Sequence, residues 1–136
     1  MENIQAFFDA CEQGKGWEVC KQYCLEDAAF ECDVLPPQNL QAYTEWMKGL
    51  VAGPMPDAKY EVMSKTQGEG HSVYCAKFLA THTGEGGPVA ASDPPKKTAC
   101  DYVYIIWYNG EHKVTRMRKI WDQLTAFKQL GWPIPA

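Results

Sequence analysis

From Lys59 onward the pattern of side chains changes to a period of two, broken by one polar loop, whereas before Lys59 that period appears only in the short run Ala28–Leu35. A period of two is the pattern of a strand with one buried face, whereas apolar residues three and four apart mark a helix. The first half reads mainly as helices. Residues 3–13 carry Ile4, Phe7, Phe8 and Cys11 on one stripe, interrupted by Gly14 and Gly16. Trp17 to Leu25 is predicted as a second short helix, Ala28 to Leu35 as a strand ended by Pro36-Pro37, and Leu40 to Val51 as a helix capped by Asn39. The second half reads as strands: Lys59–Thr66, a Gly68-Glu69-Gly70 turn, His71–Thr83, a polar loop rich in Gly and Pro, then Thr98–Tyr108. Asn109-Gly110 is a hairpin signal, and the closing strand follows it. Helix, helix, strand, helix and four strands, with a helical turn at Leu124–Leu130, contain no βαβ alternation. The expected fold class is therefore α+β, one domain over residues 1–136. Its curved, mostly antiparallel sheet wraps around the N-terminal helices and leaves an internal pocket.

Composition narrows the function classes. The chain has 136 residues, 46% of them hydrophobic, and a formal net charge of −4. That is enough for one real core, and a mildly acidic chain without a basic block argues against a nucleic-acid partner. No apolar run approaches a membrane span, and the first residues lack the basic and apolar regions of a signal peptide, so a cytoplasmic location and no membrane partner are expected. The six cysteines sit mostly in apolar stretches and are expected as free thiols. No CxxC pair occurs and no histidine stands at zinc-ligand spacing from a cysteine, so neither a metal nor a cofactor is expected.

The closing stretch Val114–Pro133 carries the densest chemistry. Alternation sets Val114, Arg116, Arg118, Ile120 and Asp122 on one face, read here as the inner one, and Thr115, Met117, Lys119 and Trp121 on the other. Arg116 and Arg118 would bind an anionic or enolate-like oxygen, or pair with a carboxylate. A two-residue turn at Asn109-Gly110 sets Val103 opposite Arg116 and Asp101 opposite Arg118, so Asp101 is either a second catalytic carboxylate or an anchor for Arg118. Asp122, hemmed in by Trp121, Leu124 and Trp132, is either a desolvated base or the N-cap of the last helix. His82 lies on the apolar face of Tyr74, Ala76, Phe78 and Ala80, as a core residue or a pocket acid. Tyr23, Tyr43, Trp46, Tyr74, Phe78 and Trp107 are candidate walls for a flat, apolar ligand, with core packing as the plain alternative. Tyr102, Tyr104, Tyr108 and Trp121 are expected on an outer, dimer-forming sheet face.

Three segments resemble the SnoaL-like branch of the nuclear transport factor 2-like superfamily. Ala80-Thr81-His82-Thr83-Gly84-Glu85 is similar to its Gly-Thr-His-x-Gly-Glu segment. Pro94-Pro95-Lys96-Lys97 stands where Pro-Pro-Thr-Gly-Lys is frequent, with Thr-Gly missing. Lys119-Ile120-Trp121-Asp122 with Gln129-Leu130-Gly131 looks like the family's ending. The resemblance covers nearly the whole chain and implies a cystatin-like cone with an internal pocket, commonly a homodimer through the outer sheet face. It also implies small-molecule chemistry without a cofactor, as in polyketide cyclases and ketosteroid isomerases, although members without known activity occur. In the cyclases an Asp on the last strand is the general base, which corresponds to Asp122, and the His of the first segment faces the pocket, which corresponds to His82. The expected function is binding of a hydrophobic carbonyl compound, with cyclisation or isomerisation by Asp122 and His82, or else ligand binding or dimerisation without catalysis.

Overall fold

The computed structural model describes residues 2–134. The chain runs α1 (Glu2–Glu12), α2 (Trp17–Cys20), a 3-10 turn (Lys21–Tyr23), β1 (Cys24–Glu31), α3 (Leu40–Ala52), β2 (Lys59–Gly68), β3 (His71–Thr81), β4 (Lys97–Tyr108), β5 (Val114–Trp121) and α4 (Gln123–Leu130). The five strands form one sheet in the order β1-β5-β4-β3-β2, antiparallel throughout except for β1, which runs parallel to β5. This is the α+β cone expected from the sequence. The parallel pair arises because β1 precedes a helix rather than a hairpin partner. Among the described residues, no helix is long and apolar enough to cross a membrane.

Several boundaries follow from local chemistry. Asn39 caps α3, its side chain accepting from the Ala42 amide at 2.8 Å. Gly131, at φ 69°, ends α4 in the left-handed conformation that a glycine adopts without Cβ strain. The second helix stops at Cys20 rather than Leu25. β1 begins at Cys24, four residues before the expected Ala28, because the backbone turns extended at Cys24 once the 3-10 turn closes. All six cysteines are free, and four of them are buried.

The Asn109-Gly110 signal marks a longer loop than two residues. The Asn109 side chain accepts from the amides of Glu111 and Lys113, both at 3.0 Å, and organises a loop over 109–113. Trp107 therefore pairs with Arg116 and Ile105 with Arg118, in place of the expected Val103–Arg116 and Asp101–Arg118 pairs. A bulge between Trp107 and Tyr108 turns Val114 inward while Met117 and Lys119, of the opposite parity, also face inward. The inner face of β5 is thus the reverse of the expected one, and Arg116, Arg118 and Ile120 lie outside. The β4 tyrosines invert with it: Tyr102 and Tyr104 are buried in the core.

The core fills the concave side. Phe8 stacks on Tyr74 with centroids 4.2 Å apart, and Phe30 stacks on Tyr43 at 4.0 Å. A smaller cluster of Met55, Ala80 and Leu130 closes the far end beside α4. There Gln129 accepts from the Thr98 hydroxyl and the Ala99 amide, both at 2.8 Å, and holds α4 against β4. Phe8 is fully buried and also meets Tyr60 and Tyr104 edge-on. Replacing it by alanine is expected to cost about 3–5 kcal/mol, seen as a lower urea midpoint. A loss under 1 kcal/mol would show that α1 does not carry the core.

Candidate functional site

A cavity of about 670 Å³ opens between α3, β4, β5, α4 and the loop at Gly86–Pro88. Its walls are aromatic and aliphatic: Trp46 and Leu50 from α3, Phe78 from β3, Trp121 from β5, Phe127 from α4 and Trp132 beyond it. Beneath it lies a second, small cavity of about 20 Å³, with room for about one water. Trp46, Leu50, Phe78 and Trp121 line both cavities and form the partition between them. The lower cavity also meets Glu12, Tyr102 and Lys119.

These polar groups form a buried floor. Glu12 is 3% exposed and Lys119 is 7% exposed. Tyr102 donates its hydroxyl hydrogen to Glu12 Oε2 at 2.5 Å. Lys119 Nζ donates to the Tyr43 hydroxyl at 3.0 Å, and Tyr43 shares a hydrogen bond with Tyr104. The rings of Tyr43, Trp46, Tyr102, Tyr104 and Trp121 surround the Lys119 amine at 4.8–5.8 Å. Glu12 Oε1 is buried and has no hydrogen-bond partner among the described residues. A buried acceptor without a donor is costly, and such groups are rare in native proteins.

Burial sets the electrostatics of the floor. Loss of solvent pushes the Glu12 carboxyl up from its ordinary value, with the Lys119 charge and then the neighbouring Tyr102, Tyr104 and Cys11 side chains pulling it only partway back. Glu12 also ends α1, where the helix dipole disfavours a negative charge. Loss of solvent pushes the Lys119 amine down, against the pull of Glu12. Desolvation raises the Tyr43, Tyr102 and Tyr104 hydroxyls, so all three stay protonated donors. The carboxyl and the amine are thus both shifted toward their neutral forms, the kind of perturbed pair found at functional sites.

The residues singled out from the sequence divide into two groups. Tyr43, Trp46 and Phe78 do line the cavities or their floor. Tyr74 is a core residue stacked on Phe8, and Tyr23 sits in the 3-10 turn; neither lines a cavity. Trp107 lies on the outer face with the Arg116 guanidinium stacked 3.7 Å from its ring centre. Arg116 pairs with Glu31 at 3.1 Å, and Arg118 pairs with Asp33 at 3.1 Å. Asp101 pairs with Lys77 at 3.0 Å on that same outer face and not with Arg118.

Asp122 is exposed and caps α4, accepting from the Thr125 amide at 3.1 Å. Hydrogen bonding to Thr125 holds its carboxyl below the usual range, the reverse of the shift that a base on a carbon acid needs. His82 is buried, and both ring nitrogens are engaged. Trp132 donates to Nδ1 at 3.2 Å, so Nε2 carries the hydrogen and donates to the Gly86 carbonyl at 3.0 Å. His82 thus ties the rim loop to the chain end, and neither it nor Asp122 lines the cavity. Next to it, Gly84 passes so close to α3 that a Cβ would stand 1.9 Å from the Gly53 carbonyl oxygen, which only glycine permits.

Glu12, Lys119, Tyr102 and Tyr104 were absent from the expected site. The signal for Glu12 is its place on the apolar stripe of α1, four residues after Phe8. The signal for Lys119 is its place between Met117 and Trp121 on one face of β5.

With the geometry in view, the fold can be compared with solved structures. AclR from Streptomyces galilaeus, a proposed hydroxylase, is 16% identical with a TM-score of 0.77, over 99% of this chain and 86% of that one. IdmH from Streptomyces antibioticus, a proposed polyketide cyclase, is 16% identical with a TM-score of 0.75, over 96% of each chain. A proposed SnoaL-like polyketide cyclase from Jannaschia sp. CCS1 is 14% identical with a TM-score of 0.75, over 97% of this chain and 93% of that one. No protein-family model and no curated protein sequence matches the chain. The chain thus has the α+β cone fold of solved structures described as SnoaL-like polyketide cyclases.

The raised Glu12 value has a consequence with a definite sign. The folded chain holds this proton more tightly than the unfolded chain, whose carboxyl titrates near 4.5. Its favourable contribution is complete below that value and is lost as pH rises through the raised folded value. The stability advantage of wild type over Glu12→Gln is therefore expected to shrink as pH rises from 4.5, measured by urea unfolding of both proteins between about pH 4 and 8. An advantage that stays flat or grows would contradict the assignment.

Proposed function

We propose that this protein binds a hydrophobic, flat carbonyl compound in the cone and moves a proton on it without a cofactor, with Glu12 as the acid–base group. The observation that carries this reading is the buried Glu12 Oε1, without a hydrogen-bond partner among the described residues, on a side chain that lines the small cavity next to the aromatic one. A ligand oxygen or C–H group that enters the water-sized space lined by Trp46 and Trp121 comes against Glu12 and Lys119. Lys119 and the Tyr102 hydroxyl stand beside it as donors for the oxygen that gains charge when a carbon-bound proton leaves. The aromatic walls suit a planar ring system. The neighbours described as proposed cyclases share this fold, which is compatible with ring-closing chemistry of the same kind. The expected cytoplasmic setting agrees with six free thiols.

The same fold supports a second reading, binding without turnover in the upper cavity, because Glu12 and Lys119 line only the small lower one. We also propose a homodimer through the outer sheet face. Val73, Cys75, Val103 and Ile105 form an apolar strip on that face, flanked by the Lys77–Asp101 and Arg116–Glu31 ion pairs, and Tyr102 and Tyr104 are not on it.

Hydrogen–deuterium exchange at the α-carbon of 2-tetralone, followed by NMR in deuterated buffer, separates the two functional readings. Catalysis predicts exchange well above buffer, lowered about 10²–10⁴-fold in Glu12→Gln and unchanged in Asp122→Asn. Binding without acceleration would establish the non-catalytic reading, and loss of exchange in Asp122→Asn alone would return the base to the strand end.

A further inference from the structure

The proton-transfer reading uses Lys119 only as a donor, yet its surroundings fit a more demanding task. We infer that Lys119 is a covalent nucleophile, whose amine condenses with the carbonyl of an aromatic aldehyde or ketone entering through the upper cavity to form a Schiff base. The inference rests on the reading of the cavity as a ligand pocket and deepens it.

Three observations support the step. The amine lies at the end of a strand-borne side chain held on all sides by rings, so its position is fixed rather than mobile. Its hydrogen bond to Tyr43 is a donation, which uses a hydrogen and leaves the nitrogen lone pair for attack once the amine is neutral. Glu12, whose Oε1 has no partner, borders the same lower cavity and can supply and recover the proton that the condensation needs. Desolvation favours the neutral amine, as in lysines that form Schiff bases from apolar pockets. The other basic groups near the cone do not compete for this role: Arg116 and Arg118 are on the outer face and paired with Glu31 and Asp33.

The step balances simply. Nζ adds to the carbonyl carbon, and the carbonyl oxygen takes a proton to give a carbinolamine. Glu12 protonates that hydroxyl, which leaves as water while the nitrogen lone pair forms the C=N bond. The protonated imine then returns a proton to the Glu12 carboxylate or keeps it. One carbonyl compound and one amine give one imine and one water, without an oxidant or reductant.

The test uses the full chain, 2-naphthaldehyde as probe and cyanoborohydride to reduce the imine as it forms, at about pH 7, where surface lysines are protonated. The chain has ten lysines besides Lys119, which serve as internal controls. The expected result is one adduct per chain, heavier by the aldehyde less one oxygen, mapping to the peptide that holds Lys119. Glu12→Gln should slow its formation at least about tenfold, and Lys119→Met should abolish it. Because the adduct is mapped on the wild-type chain, the test stands even where Lys119→Met fails to fold. Binding of 2-naphthalenemethanol, which has no carbonyl, is followed in parallel by tryptophan fluorescence. Alcohol binding with adducts spread over surface lysines overturns the nucleophile and leaves the pocket intact. Absence of both alcohol binding and a Lys119 adduct overturns the pocket and the nucleophile together.

Discussion

The architecture of this protein depends on burying one carboxyl and one amine in the same aromatic shell. Either group alone would be strongly unfavourable there, and each moderates the other's desolvation. The Tyr102 hydroxyl bonds the carboxyl and the Tyr43 hydroxyl the amine, Tyr104 bonds Tyr43 in turn, and one carboxyl oxygen is left over among the described residues. To place the pair, α1 must end at Glu12 and β5 must turn Lys119 inward. That choice of face sends Arg116 and Arg118 to the opposite side, where Glu31 on the parallel strand β1 receives both. The ion pairs outside and the polar floor inside are two results of one register.

The same arrangement divides the cone into a permissive upper part and a chemically defined lower part. The walls contributed by Trp46, Phe78, Trp121 and Phe127 offer area but few directional contacts. Directional contacts are concentrated at the floor, where the low dielectric strengthens them. His82 and Trp132 act at the opposite end by holding the Gly86 loop over the rim. The rim and walls thus present apolar shape, and the floor gathers the polar groups.

Much of this was legible in the sequence, and the failures have specific causes. The α+β order, the Asn39 cap, the inward face of β3 and the aromatic candidates Tyr43, Trp46 and Phe78 follow from periodicity and capping chemistry. The face of β5 does not, because Val114 and Met117 both point inward across a bulge that no residue type announces. Reading Val114 and Ile120 as the core face carried Arg116, Arg118 and Asp122 inward with them. Cross-strand logic contained the remedy: Tyr74, on the inner face of β3, pairs with Tyr104, which obliges the β4 tyrosines to face inward too. Glu12 was harder to see, because a carboxylate near a helix end ordinarily belongs to solvent.

The central claim is that ligand chemistry takes place at the Glu12–Lys119 floor. A crystal structure of the protein with bound 2-tetralone tests it most directly. The account predicts the ring system between Trp46 and Trp121, with the ketone oxygen about 3 Å from Glu12 or Lys119. A ketone seated with its oxygen toward the rim, or bound at the outer face beside Asp122, would contradict it.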